Sequence, residues 1–185
     1  AAYHRDWALS VEAGMKYFLI GALTNALLVI GVTLLFGLFG TTDYALLAVA
    51  LDGASGQAMT LLALTLVVVG VAFKLGAFPA HAWLPDVAEG APAPAAAFLT
   101  VVPKIGAGVA LIRLLEIFPA DVIAWRPILA ALSVATMTLG NLGALGQNDV
   151  RRLIGWSSIS QSGYALMAIT VVGLSDQALP ALLFF

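Results

Sequence analysis

Two lysines stand inside long apolar runs: Lys74 in a run that starts near 57, and Lys104 close to the midpoint of another that ends near 117. After Lys74 the chain meets Pro79, His81, Pro85 and Asp86 within twelve residues. A charged side chain in the middle of a bilayer costs at least about 2.5–3.5 kcal/mol on insertion scales, so it normally faces a bundle interior, a partner or water. A lysine can hold or release a proton where arginine cannot, and histidine titrates near neutrality. A proton passes between two lysines only where one is neutral while the other is charged, and like charges at close range favour that state. Lys74 and Lys104, with His81 and Asp86 near, therefore read as a proton relay. The plainer readings are that Lys74 snorkels to the headgroups from a helix end, and that Lys104 bonds carbonyls freed by Pro103.

The elements that must position these residues follow from composition. Of 185 residues, 62% are hydrophobic and 10% charged, and the mean hydropathy is +1.03; soluble domains carry about 45–50% apolar and about 25% charged residues. The expected fold is an all-α, polytopic membrane helix bundle. Apolar stretches lie near 14–39, 57–88, 95–117, 128–146 and 153–173, and a further one starts near 177; spanning takes roughly 20 residues. The second is too long for one plain span and is expected to break near 76–81, because Pro79 lacks an N–H and its ring clashes with the preceding turn. Broken helices are tolerated in membranes where they are buried in protein or line a wet cavity, and they recur at ion-handling sites. All 185 residues read as one transmembrane domain. The chain opens in a polar loop and stops within an apolar run, which reads as the central part of a longer protein.

The positive-inside rule puts the side bearing Arg5, Lys16, Arg151 and Arg152 in the cytoplasm, against Arg113 and Arg126 opposite. A net charge of −2 gives no reason to expect a nucleic-acid partner. There is no cysteine for disulfides or iron–sulfur ligation, no GxGxxG, and only His4 and His81 as haem ligands, in unrelated contexts. No cofactor is expected in this chain. Glu12 and Lys16 are spaced i,i+4, ordinarily a minor surface pair. Ser157, Ser158, Ser160 and Ser162 suit helix–helix or backbone bonding, Trp83, Trp125 and Trp156 suit membrane interfaces, and Arg151 and Arg152 suit topology determinants.

The motifs "GVAFKLGAFPAHAWLPDVAEGAPAPAAAFLTVVPKIG" at 70–106, "SVEAGMKYFLIGAL" at 10–23 and "GNLGALGQNDVRRLIGWSSISQSGYALMAI" at 140–169 resemble the antiporter-like membrane subunits of respiratory complex I, the NADH-quinone oxidoreductase, and among them the subunit N type. The resemblance implies that Lys74 on the broken helix and Lys104 on the next carry the proton path, with Lys16, His81 and Asp86 at further polar positions of the pattern. It implies proton pumping coupled to NADH:quinone electron transfer, with NADH, FMN, iron–sulfur clusters and quinone in other subunits. The partners implied are those membrane subunits, the lipid bilayer, protons and water, in a bacterial inner membrane. The family's buried glutamate and its later lysine fall outside the sequence, and Gln161 stands where many bacterial members have histidine. Two other functions use the same residues differently: a subunit of a multisubunit sodium/proton antiporter, and a structural assembly bundle without transport.

Overall fold

The computed structural model describes residues 6–51, 57–118 and 123–184. His4 and Arg5 lie outside the described residues. The elements are α1 (Ala8–Phe39), α2 (Tyr44–Leu51), α3 (Gln57–Leu75), α4 (Trp83–Gly90), α5 (Ala93–Leu115), α6 (Trp125–Leu145), α7 (Val150–Thr170) and α8 (Ala178–Phe184), and no strand occurs among the described residues. By length and composition α1, α3, α5 and α6 could each cross a membrane. α7, of 21 residues, lies over the stretch expected at 153–173 but carries two arginines, four serines and a threonine, which dilute its apolar content.

Local signals explain most boundaries. α1 ends at Gly40, which takes the left-handed conformation (φ 69°) and donates its N–H to the Phe36 carbonyl, the usual glycine C-cap. Asp149 caps α7 by accepting from the Arg152 N–H at 2.9 Å. The segment 40–56, expected to be a loop, holds α2; Asp43 starts it by accepting from the N–H groups of Ala45 and Leu46. All eight residues that follow Asp43, YALLAVAL, are apolar, and a helix so short and uniform shows no periodicity for spacing to reveal.

The helix bearing Lys74 is interrupted. α3 stops at Leu75 and α4 begins at Trp83, with Gly76 at φ 65°, a conformation that only glycine takes without cost. The freed backbone groups find side chains. The Leu75 carbonyl would ordinarily accept from the N–H four residues on, which Pro79 lacks; the Ser162 hydroxyl donates to it instead, at 2.6 Å. The Phe78 N–H donates to Thr136 Oγ1 (3.1 Å) and Trp83 Nε1–H to the Phe73 carbonyl (3.2 Å).

Packing holds the break in place. α1 lies along α3, and α6 along α7. The α6–α7 approach depends on Gly140, where a Cβ would fall 2.6 Å from the Ser160 amide nitrogen. Gly106 and Gly108, within α5, face open space within this chain. Two apolar clusters form, one around Leu64, Leu111 and Leu129, the other around Trp83, Leu84 and Ile159 beneath the break. Trp83 and Trp125, expected at interfaces, are buried, each satisfying its indole N–H on a backbone carbonyl.

Candidate functional site

α5 carries Lys104 at its centre, one residue after Pro103. The ammonium does not turn to its own helix. It crosses to α7, where it donates to the Ser158 carbonyl (2.7 Å), Ser158 Oγ (2.6 Å) and Ser162 Oγ (2.8 Å). Two serines four apart share one helix face, so the spacing of Ser158 and Ser162 makes a cradle that fills the ammonium's three donor directions. Ser162 is buried and uses its oxygen twice: it accepts from Lys104 and donates to the Leu75 carbonyl. That carbonyl belongs to the residue after Lys74, so a hydrogen-bonded chain runs from Lys104 through α7 to the broken end of α3. Lys74 occupies the last turn of α3, is exposed on the surface of this chain, and holds its Nζ 5.5 Å from the Phe73 ring centroid.

A second set of polar residues gathers where α4 meets the N-terminal parts of α1 and α7. Asp86, one-tenth exposed, accepts from Lys16 Nζ (2.6 Å) through one oxygen and from Arg152 Nη1 (2.6 Å) through the other. Lys16 also pairs with Glu12 at 2.6 Å. Arg152 also pairs with Glu89 (3.0 Å) and donates through Nε to Gln147 Oε1 (3.1 Å). The Glu12–Lys16 pair that spacing anticipates is thus one arm of a larger network. Asp86 lies in the first turn of α4, where negative charge suits the helix dipole.

His81 joins neither group. It sits in the interruption, its ring 6.0 Å from that of Phe78 and 5.9 Å from that of Trp156. Asp86 is held by Lys16 on α1 and Arg152 on α7, and His81 takes no part in those pairs. Among the sequence candidates, then, the structure links Lys104 to the residue beside Lys74, joins Lys16 to Asp86, and sets His81 apart. It adds Ser158, Ser162, Glu89 and Arg152. The serine spacing was visible in the sequence; which cation it served was not.

The whole chain, residues 1–185, matches the model of the NADH:quinone oxidoreductase/Mrp antiporter transmembrane family. The chain belongs to that family. A NADH-quinone oxidoreductase subunit N from Mycobacterium sp. (strain JLS) is 52% identical over 178 residues, covering 96% of this chain and 38% of that protein. Among solved structures, a chain of the archaeal membrane-bound sulfane sulfur reductase aligns with a TM-score of 0.82 at 30% identity, over 91% of this chain and 35% of that one. A chain of respiratory complex I from Thermus thermophilus with bound aureothin aligns with a TM-score of 0.75 at 34% identity, over 91% and 36%. The chain therefore spans little more than a third of the length of the curated relatives it matches. It is an all-helical membrane chain of this antiporter-like family.

Proposed function

We propose that this chain is the central part of a proton-translocating membrane subunit of NADH-quinone oxidoreductase, subunit N type. Lys74 and Lys104 carry the proton path. The observation that supports this reading is the hydrogen-bonded chain from Lys104 through Ser162 to the Leu75 carbonyl at the end of α3. A lysine among hydroxyls beside a broken helix has both a proton to give and oriented groups to receive it. The break supplies backbone groups that an intact helix would have consumed.

The chain's residues do three things in this reading. Lys104 holds a proton at Nζ. Ser158 and Ser162 accept its hydrogen bonds, so loss of the proton would reorient both hydroxyls. Lys74, exposed on this chain, meets its partners among the remaining helices of the subunit. His81, Lys16 and Asp86 occupy flanking positions, with Lys16 and Asp86 paired to each other. Electrons move elsewhere, through NADH, FMN, iron–sulfur clusters and quinone held by partner subunits. The protein lies in the bacterial inner membrane with the Arg151/Arg152 loop on the cytoplasmic side.

The test uses the full-length subunit in the assembled complex, in sealed membrane vesicles. Lys74→Ala and Lys104→Ala should each lower NADH-driven proton pumping, while NADH oxidation by an artificial acceptor upstream of quinone persists. Lys74→Arg should also impair pumping, because arginine keeps the charge and does not release its proton at reachable pH. Normal pumping by Lys74→Arg would make Lys74 a fixed electrostatic element and overturn the relay. Sodium-dependent transport by a chain free of redox partners would instead favour the cation/proton antiporter function.

A further inference from the structure

Asp86 is shared between two cations that reach it from opposite sides, Lys16 on α1 and Arg152 on α7, both at 2.6 Å. α4, which carries Asp86, has only eight residues and lies between the interruption at 76–82 and Ala91. So short a helix has little stability of its own, and its orientation must come from what it touches. It touches α7 at one place in two ways. A Cβ added to Gly155 would lie 2.7 Å from Pro85 Cα, so the backbones meet there. One turn earlier on α7, Arg152 Nη1 binds both Asp86 and Glu89, and its Nε binds Gln147. Arg151 adds a bond to the Glu89 carbonyl at 3.3 Å.

We infer that Arg152 is a positioning residue for the proton path, clamping α4 to α7 through Asp86 and Glu89 and thereby tying Lys16 to the helix that cradles Lys104. α7 is a continuous helix, and Ser158 and Ser162 follow Arg152 by six and ten residues, about 9 and 15 Å along the axis. A shift at the Arg152 end of α7 therefore moves the serines that hold the Lys104 ammonium. Asp86 cannot approach Lys16 without loosening its hold on Arg152, because both cations already sit at contact distance on its two oxygens. A change of charge near Lys16 and Glu12 is thus felt at α7. The guanidinium is specific to this task. Its donors diverge in one plane to two carboxylates and an amide oxygen, whereas a lysine ammonium on a flexible stem has no such fork. A topology determinant needs only a positive charge, and a lysine would serve equally.

The inference rests on the proton-path reading above, and the experiment separates the two. In the assembled complex with the full-length subunit, Arg152→Gln, Arg152→Lys, Asp86→Asn and the double variant Asp86→Asn/Arg152→Gln are compared with Lys104→Ala. Proton-pumping rate is measured at matched electron flux, with artificial-acceptor activity as the check on assembly. Arg152→Gln and Arg152→Lys should each lower pumping by roughly 2- to 30-fold, the range for coupling carried by such networks. The double variant should lose less than the product of the two single losses, because the Asp86–Arg152 contact is common to both changes. Wild-type pumping by Arg152→Lys, or effects that multiply in the double variant, would overturn the clamp. If Arg152→Gln fails to assemble, Glu89→Gln, which spares Asp86, decides: reduced pumping upholds the clamp and wild-type pumping sinks it. Normal pumping by Lys104→Ala would bring down the proton-path reading; impaired Lys104→Ala beside unaffected Arg152 variants would bring down the clamp alone.

Discussion

Ser162→Ala is the sharpest probe of how the site is built. The substitution removes one oxygen that serves two helices: the acceptor for Lys104 at 2.8 Å and the donor to Leu75 at 2.6 Å. Lys104 keeps Ser158 O and Oγ, so the ammonium loses one of three acceptors. The Leu75 carbonyl loses more, because Pro79 offers no N–H to replace the hydroxyl. In soluble proteins a hydrogen bond to a charged group contributes about 1.5–3 kcal/mol, and an orphaned buried acceptor costs about 1–3 kcal/mol. Interhelical bonds in membranes average only about 0.6 kcal/mol, with a maximum near 1.7, because groups freed in the separated helices find other partners. With two bonds lost at once, one of them charge-assisted, the expected cost is about 1.5–3 kcal/mol. Ser160→Ala is the control. It lies on the same helix and is equally buried, but its hydroxyl serves only Asn141 Oδ1 among the bonds seen, at 2.9 Å, so its loss should cost about 0.5–1 kcal/mol. Equilibrium unfolding of the purified full-length subunit in bicelles with rising SDS, followed by tryptophan fluorescence, measures both. If Ser162→Ala costs no more than Ser160→Ala, Ser162 is not what satisfies the break.

Thr136→Val keeps the shape of the side chain but removes the acceptor of the Phe78 N–H; it should cost about 1–2 kcal/mol in the same unfolding assay, and a cost below that of Ser160→Ala would deny Thr136 a role at the interruption. Gly140→Ala puts a Cβ 2.6 Å from the Ser160 amide nitrogen, which is backbone and cannot swing away. α6 and α7 must separate, at about 1–3 kcal/mol, with less of the complex recovered from membranes. Unchanged stability and yield would show that the two helices pack more loosely than the backbone contact implies.

The interruption was legible because its cause is local. Pro79 removes a donor wherever the chain goes, and the apolar stretch around it was too long for a single span, so residues 76–81 marked the break to within about one residue of the 76–82 observed. α2 was not legible: eight residues give two turns, too few for periodicity to separate a short helix from an apolar loop. His81 and Asp86 stand five positions apart in the sequence, but nothing in that spacing names Lys16 and Arg152 as the partners of Asp86.

The sequence alone determined the medium, the number and approximate limits of the long helices, the break after Lys74 and the presence of two lysines that lipid would not tolerate unpaired. Each of these follows from residue type and spacing within about 30 positions, through burial of apolar surface and the missing proline N–H. Only the tertiary structure decided the partners. Lys104 meets serines 54 and 58 positions away, and Asp86 meets Lys16 and Arg152 at separations of 70 and 66. An ammonium satisfies itself on whichever acceptors the helix packing brings within 3 Å. That choice belongs to the contacts of α4, α5 and α7, set by close approaches such as Pro85 on Gly155 and not by any spacing along the chain.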